Sequence, residues 1–411
     1  MKYVVNDQVV LSRSLEGPLA AYVKGFARRL SEQGYAIYTL RRHIQIAADF
    51  SRWLAQNKVR RQWVSSKHTA QYLHARARRV LIRDGDATAL IHLLGFLRGE
   101  AAIAAEKIRR CRLTPAERCA QAFEQYLQDE RALAQATIAY YGAFVRDFLK
   151  DRFGNGPAPL SRLHARDVVH FVQRRAPRLG LKRAKMLTTA LRSFLQFARY
   201  RGDVRLDLAA AVPAVANWSM SAIPRAIAPD QVRRLLARIN RGTAVGRRDY
   251  AILLLLARLG LRACEVACLD LEDIDWKAGI VTVHGKGGRQ VELPLPADVG
   301  AAIAGYLQQG RPDGTCRRLF LRARAPNWGF RPSAVGCVVR RAILRHGIDA
   351  PTYGAHQFRH GLATDMLRHG ASLAEIGELL GHRHPDTTKI YTKVDLPALR
   401  TLAVPWPGGA Q

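Results

Sequence analysis

The last third of this 411-residue chain carries residue types suited to displacement at a phosphodiester: Arg262 in LGLRACEV, Lys286 in VHGKGGRQ, His356 and Arg359 in AHQFRH, and His382 and Tyr391 in LLGHRHPDTTKIYTKV. A phosphodiester resists nucleophiles because its non-bridging oxygens are negative, and that charge grows as five-coordinate phosphorus forms. A guanidinium answers this directly, since it donates two parallel hydrogen bonds to phosphate and stays charged at any working pH. Arg262 and Arg359 are therefore the candidate clamp. Losing one fixed donor from a comparable oxyanion site costs about 3 to 4 kcal/mol, so an arginine pair is energetically adequate without a metal ion or other cofactor. Tyr391 is the candidate nucleophile. A phenol, with a pKa of about 10, can ionise beside cations and can later be displaced from the phosphoester it forms.

Spacing assigns the remaining groups. His356 and Arg359 are three apart, so on a helix they share a face and can grip one anion together. Arg262 and Glu265 repeat that interval; a carboxylate repels phosphate, so Glu265 is read as a brace for Arg262. Lys286 sits in GIVTVHGKGGRQVELPLP, where alternating β-branched runs flank Gly285, Gly287 and Gly288, a hairpin signal that puts a lysine at a mobile tip. Arg289 beside it is read as a contact to backbone phosphate. His356 is read as a general base or hydrogen-bonding partner near the tyrosine and the phosphate, and His382 as a donor to a non-bridging oxygen. Between His382 and Tyr391, Pro385 and Asp386 mark a helix end and a helix start.

Taken singly, each residue has an ordinary role: a tyrosine packed in a helix, an i, i+3 ion pair, a solvated turn lysine. Together and in this order, the strings resemble the catalytic domain of the tyrosine recombinases, the phage integrase family, over roughly residues 225 to 395. The resemblance implies a site-specific recombinase that holds a cleaved strand as a covalent 3′-phosphotyrosyl link, from which a 5′-hydroxyl completes the exchange without ATP. It also implies that Lys286, matching the hairpin lysine of the family, protonates the departing 5′-oxygen. The implied partner is double-stranded DNA with specific recombination sites, bound by a homo- or hetero-tetramer on synapsed DNA, with or without partner recombinases, for integration, excision or transposition. A type IB topoisomerase would use the same tyrosine and arginine logic, but the HQFRH and LLGH strings favour a recombinase. A non-catalytic DNA-binding regulator would not need the full set, and a metal-dependent nuclease would want clustered acidic ligands. His360, His369 and His384 fall outside the pattern and are read as ordinary structural residues.

Composition agrees with a nucleic-acid partner. The chain has 65 Lys plus Arg against 33 Asp plus Glu, a net charge of +32. The excess is spread: residues 1–110 hold 20 basic and 8 acidic groups, residues 111–224 hold 18 and 9, and residues 225–411 hold 27 and 16. That pattern fits a protein whose every domain faces DNA better than a neutral enzyme with one basic arm. The N-terminus has no apolar stretch of signal-peptide length, and the longest apolar run, Tyr250 to Ala257, is bracketed by Arg248, Asp249 and Arg258 and is too short for a bilayer. The expectation is a soluble, cytoplasmic, nucleoid-associated bacterial protein with no membrane partner. Six cysteines give no disulfide framework or zinc-ligand spacing, and Cys264 and Cys268, i, i+4 beside Leu261 and Leu269, are read as small buried hydrophobes.

The elements that must position these groups are mainly α-helical. A catalytic domain over 230–395, mostly α with a small antiparallel sheet near 275 to 295, follows a Pro-containing linker at 217–229 and precedes a tail at 396–411. Residues 111–216 contain helix-period stretches such as RCAQAFEQYLQDE and KMLTTALRSFLQFARY, and they resemble the family's helical, SAM-like core-binding domain. Residues 1–110 form a helical extension that the minimal family plan lacks. An offset of 98 aligns Thr39 with Thr137, Asp49 with Asp147 and Phe50 with Phe148. This suggests either duplication of the helical DNA-binding domain or an unrelated helical module with similar patterning.

Overall fold

The computed structural model describes residues 3–5, 8–11, 15–81, 83–104, 113–215, 226–285, 288–381 and 387–394. The chain divides into two compact units, Lys107–Ser221 and a second composed of Met1–Glu106 with Ala222–Gln411. An antiparallel strand pair opens the chain, β1 (Tyr3–Val5) and β2 (Gln8–Leu11), in a segment whose sequence reads as helical throughout. Helices α1 (Ala20–Glu32), α2 (Ile37–Gln56), α3 (Ser66–Ala77) and α4 (Gly85–Gly99) follow, with a 3-10 turn at Arg61–Trp63 between α2 and α3. Buried Val23, Phe26, Ala27 and Leu30 recur on α1 at three- and four-residue intervals, the stripe expected of a helix with one face in a core. They pack with Ile44, Phe50, Leu54, Leu93 and Leu97 into a core of their own.

The unit Lys107–Ser221 repeats that succession: α5 (Pro115–Asp129), α6 (Gln135–Phe153), a 3-10 turn at Leu160–Arg162, α7 (Ala165–Arg175) and α8 (Leu181–Tyr200). The start of α5 is set locally. Thr114 Oγ1 accepts from the Glu117 N–H at 3.2 Å, the Glu117 carboxylate accepts from the Thr114 N–H at 2.7 Å, and Pro115 occupies the first helical position. The internal bracing recurs as well as the order. Phe50 on α2 meets Tyr72 on α3 with ring centroids 5.2 Å apart, and Phe148 on α6 meets Phe171 on α7 at 5.1 Å. Asp49 pairs with Arg76 in the first module, and Asp147 pairs with Arg175 at the corresponding place in the second.

In the remaining segment, α9 (Pro229–Arg238) leads to α10 (Ala244–Arg258), on which Ala251 to Leu256 are all buried, so this helix is the central post of the largest core. After α11 (Ala263–Cys268), strands β3 (Ile274–Asp275), β4 (Ile280–His284) and β5 (Gln290–Pro294) form an antiparallel sheet in the order β3, β4, β5. Val281 and Val283 alternate into the core, as a half-buried strand requires. Val281 pairs with Leu293 and His284 with Gln290. The Gly285 N–H donates to the Arg289 carbonyl at 2.7 Å and closes the hairpin. Then come α12 (Ala297–Gln309), α13 (Pro332–Arg345), α14 (His356–Arg368), α15 (Leu373–Leu379) and a 3-10 helix at Lys389–Val394. The end of α1 touches this segment: the Asn327 N–H donates to the Gln33 carbonyl at 3.0 Å. Among the described residues no helix is long and apolar enough to cross a membrane.

Phe148 is 1% exposed and anchors the α6–α7 contact. Phe148→Ala is expected to cost about 3 to 5 kcal/mol, seen by calorimetry as a lowered transition for the unit Lys107–Ser221 with the transition of the other unit unmoved.

Candidate active site

Arg359 organises the site. It lies in the first turn of α14, is 5% exposed, and donates through Nη1 to the Gly260 carbonyl at 2.9 Å and through Nη2 to the Leu380 carbonyl. Those carbonyls belong to the turn before α11 and to the end of α15, so one guanidinium ties three stretches of chain. Gly260 makes the first bond possible. Its φ is +60°, and a Cβ there would lie 2.8 Å from Leu380 Cδ2 and 3.1 Å from Leu362 Cδ2. Burial, and then the like charge of Arg262, pull the Arg359 pKa down to about 10, which leaves it charged at neutral pH.

Arg262 stands immediately before α11 in extended conformation, so it caps this short helix and is not part of its body. Glu265, 4% exposed, accepts from the Arg262 N–H at 2.7 Å and from its Nη1 at 2.6 Å. One carboxylate therefore both closes the helix start and aims the guanidinium, whose side chain is 32% exposed and keeps donors for an anion. The shortness of α11 also overturns the burial expected for its cysteines: Cys264 is exposed and Cys268 half-buried. A six-residue helix with its end on Arg262 turns 265 to 267 inward, so an i, i+4 stripe through 264 and 268 faces away from the core.

Tyr391 is on a 3-10 helix, 1% exposed, with its ring in a small apolar cluster of Ala363, Ile376 and Leu380. Burial raises the phenol pKa, while Arg359 and Arg262 pull it down; burial is the larger effect. The phenol is thus harder to ionise than its cationic neighbours alone would suggest. Its hydroxyl is 3.1 Å from His360 Nδ1, and the two rings are 5.7 Å apart. From sequence His360 reads as an ordinary structural residue; the structure places it against the Tyr391 hydroxyl. The signal that was available is its position four residues after His356, on the same helix face. His356 itself is exposed at the first residue of α14, and His360, one turn inward, is half-buried. Arg289 is exposed beside the hairpin tip. Lys286 and His382 lie outside the described residues, as do Pro385 and Asp386. The arrangement brings together an anion clamp, its carboxylate brace and a phenol with a histidine on its hydroxyl.

Gly260→Ala is expected to destabilise the protein by roughly 1 to 3 kcal/mol. Gly279 has a similar φ of +66° but open space around it. Gly279→Ala therefore measures backbone strain alone, and a larger shift in the urea midpoint for Gly260→Ala reports the packing against Leu380 and Leu362.

The profile of the phage integrase family matches residues 225–396, and that of the phage integrase N-terminal SAM-like domain matches residues 120–202. The protein y4rA of Sinorhizobium fredii, named as an integrase/recombinase, is 56% identical over 412 residues that cover 100% of both chains. The tyrosine recombinase XerD of Mycobacterium tuberculosis is 33% identical over 307 residues, covering 70% of this chain and 96% of that one. Among solved structures, XerH site-specific recombinase in a post-cleavage complex with its difH substrate shares the fold with a TM-score of 0.57 at 19% identity, over 70% of this chain and 84% of that one. These matches and the site agree that the chain belongs to the phage integrase family of tyrosine recombinases, the site-specific DNA strand transferases.

Proposed function

We propose that Tyr391 attacks phosphorus while Arg262 and Arg359 hold the non-bridging oxygens. The observation that carries this reading is that the charges of Arg359 and Arg262 both act on the buried Tyr391 phenol, each lowering its pKa against its burial. The bond from Tyr391 Oη to phosphorus forms as the bond to the 5′-oxygen breaks, and Lys286 supplies that oxygen with a proton. His356, exposed at the start of α14, and His382 donate to the phosphate oxygens, and Arg289 contacts a neighbouring backbone phosphate. Glu265 holds Arg262 on target. Reversal with a 5′-hydroxyl from a second duplex rejoins the strands. Exchange between two duplexes needs four cleavages, one tyrosine each, so the working assembly is a tetramer on synapsed DNA, of this chain alone or with partner recombinases. Its place of action is the bacterial cytoplasm, on the nucleoid.

Residues 15–104 are proposed as a second copy of the SAM-like module. The shared helix order, the paired rings Phe50 with Tyr72 and Phe148 with Phe171, and the matched ion pairs support this. The 20 basic groups in residues 1–110 make DNA its partner.

Two experiments test these readings. Tyr391→Phe should abolish the covalent protein–DNA adduct on a nicked core site while leaving DNA affinity within a few fold, and the wild-type adduct should form in excess EDTA. Adduct from the phenylalanine variant would assign the nucleophile elsewhere. A chain starting at Thr114 should protect a shorter footprint than the full chain and show a shallower salt dependence, since each lost phosphate contact lowers the log-log slope by about 0.9. An unchanged footprint and slope would give the first module to protein contacts.

A further inference from the structure

Any attack by Tyr391 must first dispose of the phenolic proton. The ring is 1% exposed and walled by Ala363 on α14 and by Ile376 and Leu380 from α15 and its end, so bulk water is a poor acceptor for it. The cations whose charge acts on the phenol, Arg359 on α14 and Arg262 before α11, favour a phenolate but cannot take up a proton. Glu265, the carboxylate of that cluster, is committed to two bonds from Arg262. His356 is at the exposed mouth of the helix, one turn further out than His360. His360 Nδ1 is within hydrogen-bond reach of the hydroxyl, at 3.1 Å.

We propose that His360 is the group that accepts the Tyr391 proton during cleavage, with the phenol O–H donating to Nδ1 of the tautomer that carries its own proton on Nε2. This rests on the reading of Tyr391 as nucleophile. As the bond from Oη to phosphorus forms, the phenolic proton passes to Nδ1, and the 5′-oxygen leaves with the electron pair and is protonated separately. In rejoining, the imidazolium returns that proton to the phenolate as phosphorus departs. The two histidines of α14 thus divide the work along one helix face: His356 outward to phosphate, His360 inward to the nucleophile. A holding role, in which His360 keeps the phenol away from phosphate, is the opposite assignment. The influence of both clamp arginines on this same hydroxyl argues against it, because the phenol already sits within their field.

The test is the single-turnover rate of adduct formation on a nicked core site between about pH 6 and 9.5, for the full chain and for His360→Ala and His360→Asn. Wild-type adduct is the precondition; its absence would defeat the assignment of Tyr391 and not this step. The wild-type rate is expected to rise with pH and level off once the accepting imidazole is neutral. Near pH 7, His360→Ala should be slower by on the order of 100-fold, with the deficit shrinking by about tenfold per pH unit as hydroxide takes over. His360→Asn keeps a hydrogen-bonding group at the phenol but takes no proton, so it should be as slow as the alanine variant and show the same slope. It also carries the test should His360→Ala fail to fold. The proposal is overturned if His360→Asn restores wild-type rate and profile, if the deficit is constant across the pH range, or if His360→Ala forms adduct faster than wild type.

Discussion

The site depends on one buried cation. Arg359 has left water for a place where its charge costs free energy, and the fold tolerates this because two of its donors end on backbone carbonyls, Gly260 and Leu380. Those carbonyls are distant in sequence from Arg359 and from each other. The bonds therefore fix the start of α11, where Arg262 stands, and the end of α15, which walls the Tyr391 ring, relative to α14. Positioning and electrostatics are in this way a single interaction. A lysine at 359 would supply the charge, but not the planar fork that reaches two carbonyls and keeps donors for phosphate.

The family and the candidate set were legible in the sequence because the candidates are polar residues in short strings whose order is itself informative, and the hairpin announces itself through glycines between β-branched runs. What was not legible depended on distances across the fold. His360 looked idle because its contact with Tyr391 spans 31 residues of sequence. The cysteines of α11 looked buried because a face assignment presumes a helix longer than six residues. The strand pair β1–β2 is formed by runs of three and four residues, too short for an alternation to stand out.

The proposed internal repeat shows the same division from the other side. An offset in sequence aligned Asp49 with Asp147 and Phe50 with Phe148, but left convergence open, since any two amphipathic helical bundles share a period. The structure adds what periodicity cannot carry, an aromatic pair and an ion pair between the second and third helices of each module. Both cores are self-contained, each with its own buried cluster. A fold that closes its own core can be duplicated without redesign of its neighbours, which makes addition of a module at the N-terminus physically inexpensive.

The electrostatics of the candidate site also bear on the reaction proposed for it. Arg359 is held below its ordinary pKa by burial and by Arg262, and Tyr391 above its own by burial. Burial is the larger cause of both shifts, because it takes groups that would be better solvated as ions out of water. In the proposed reaction a phosphodiester would supply one negative charge to that site, and the five-coordinate phosphorus more. Each increment offsets more of the burial cost of Arg359 and strengthens bonds that are weaker in the ground state. Interactions that grow along the reaction coordinate are those that accelerate it. The apolar cluster that makes Tyr391 reluctant to ionise is thus what gives a proton acceptor at the phenol, the role proposed for His360, something to do.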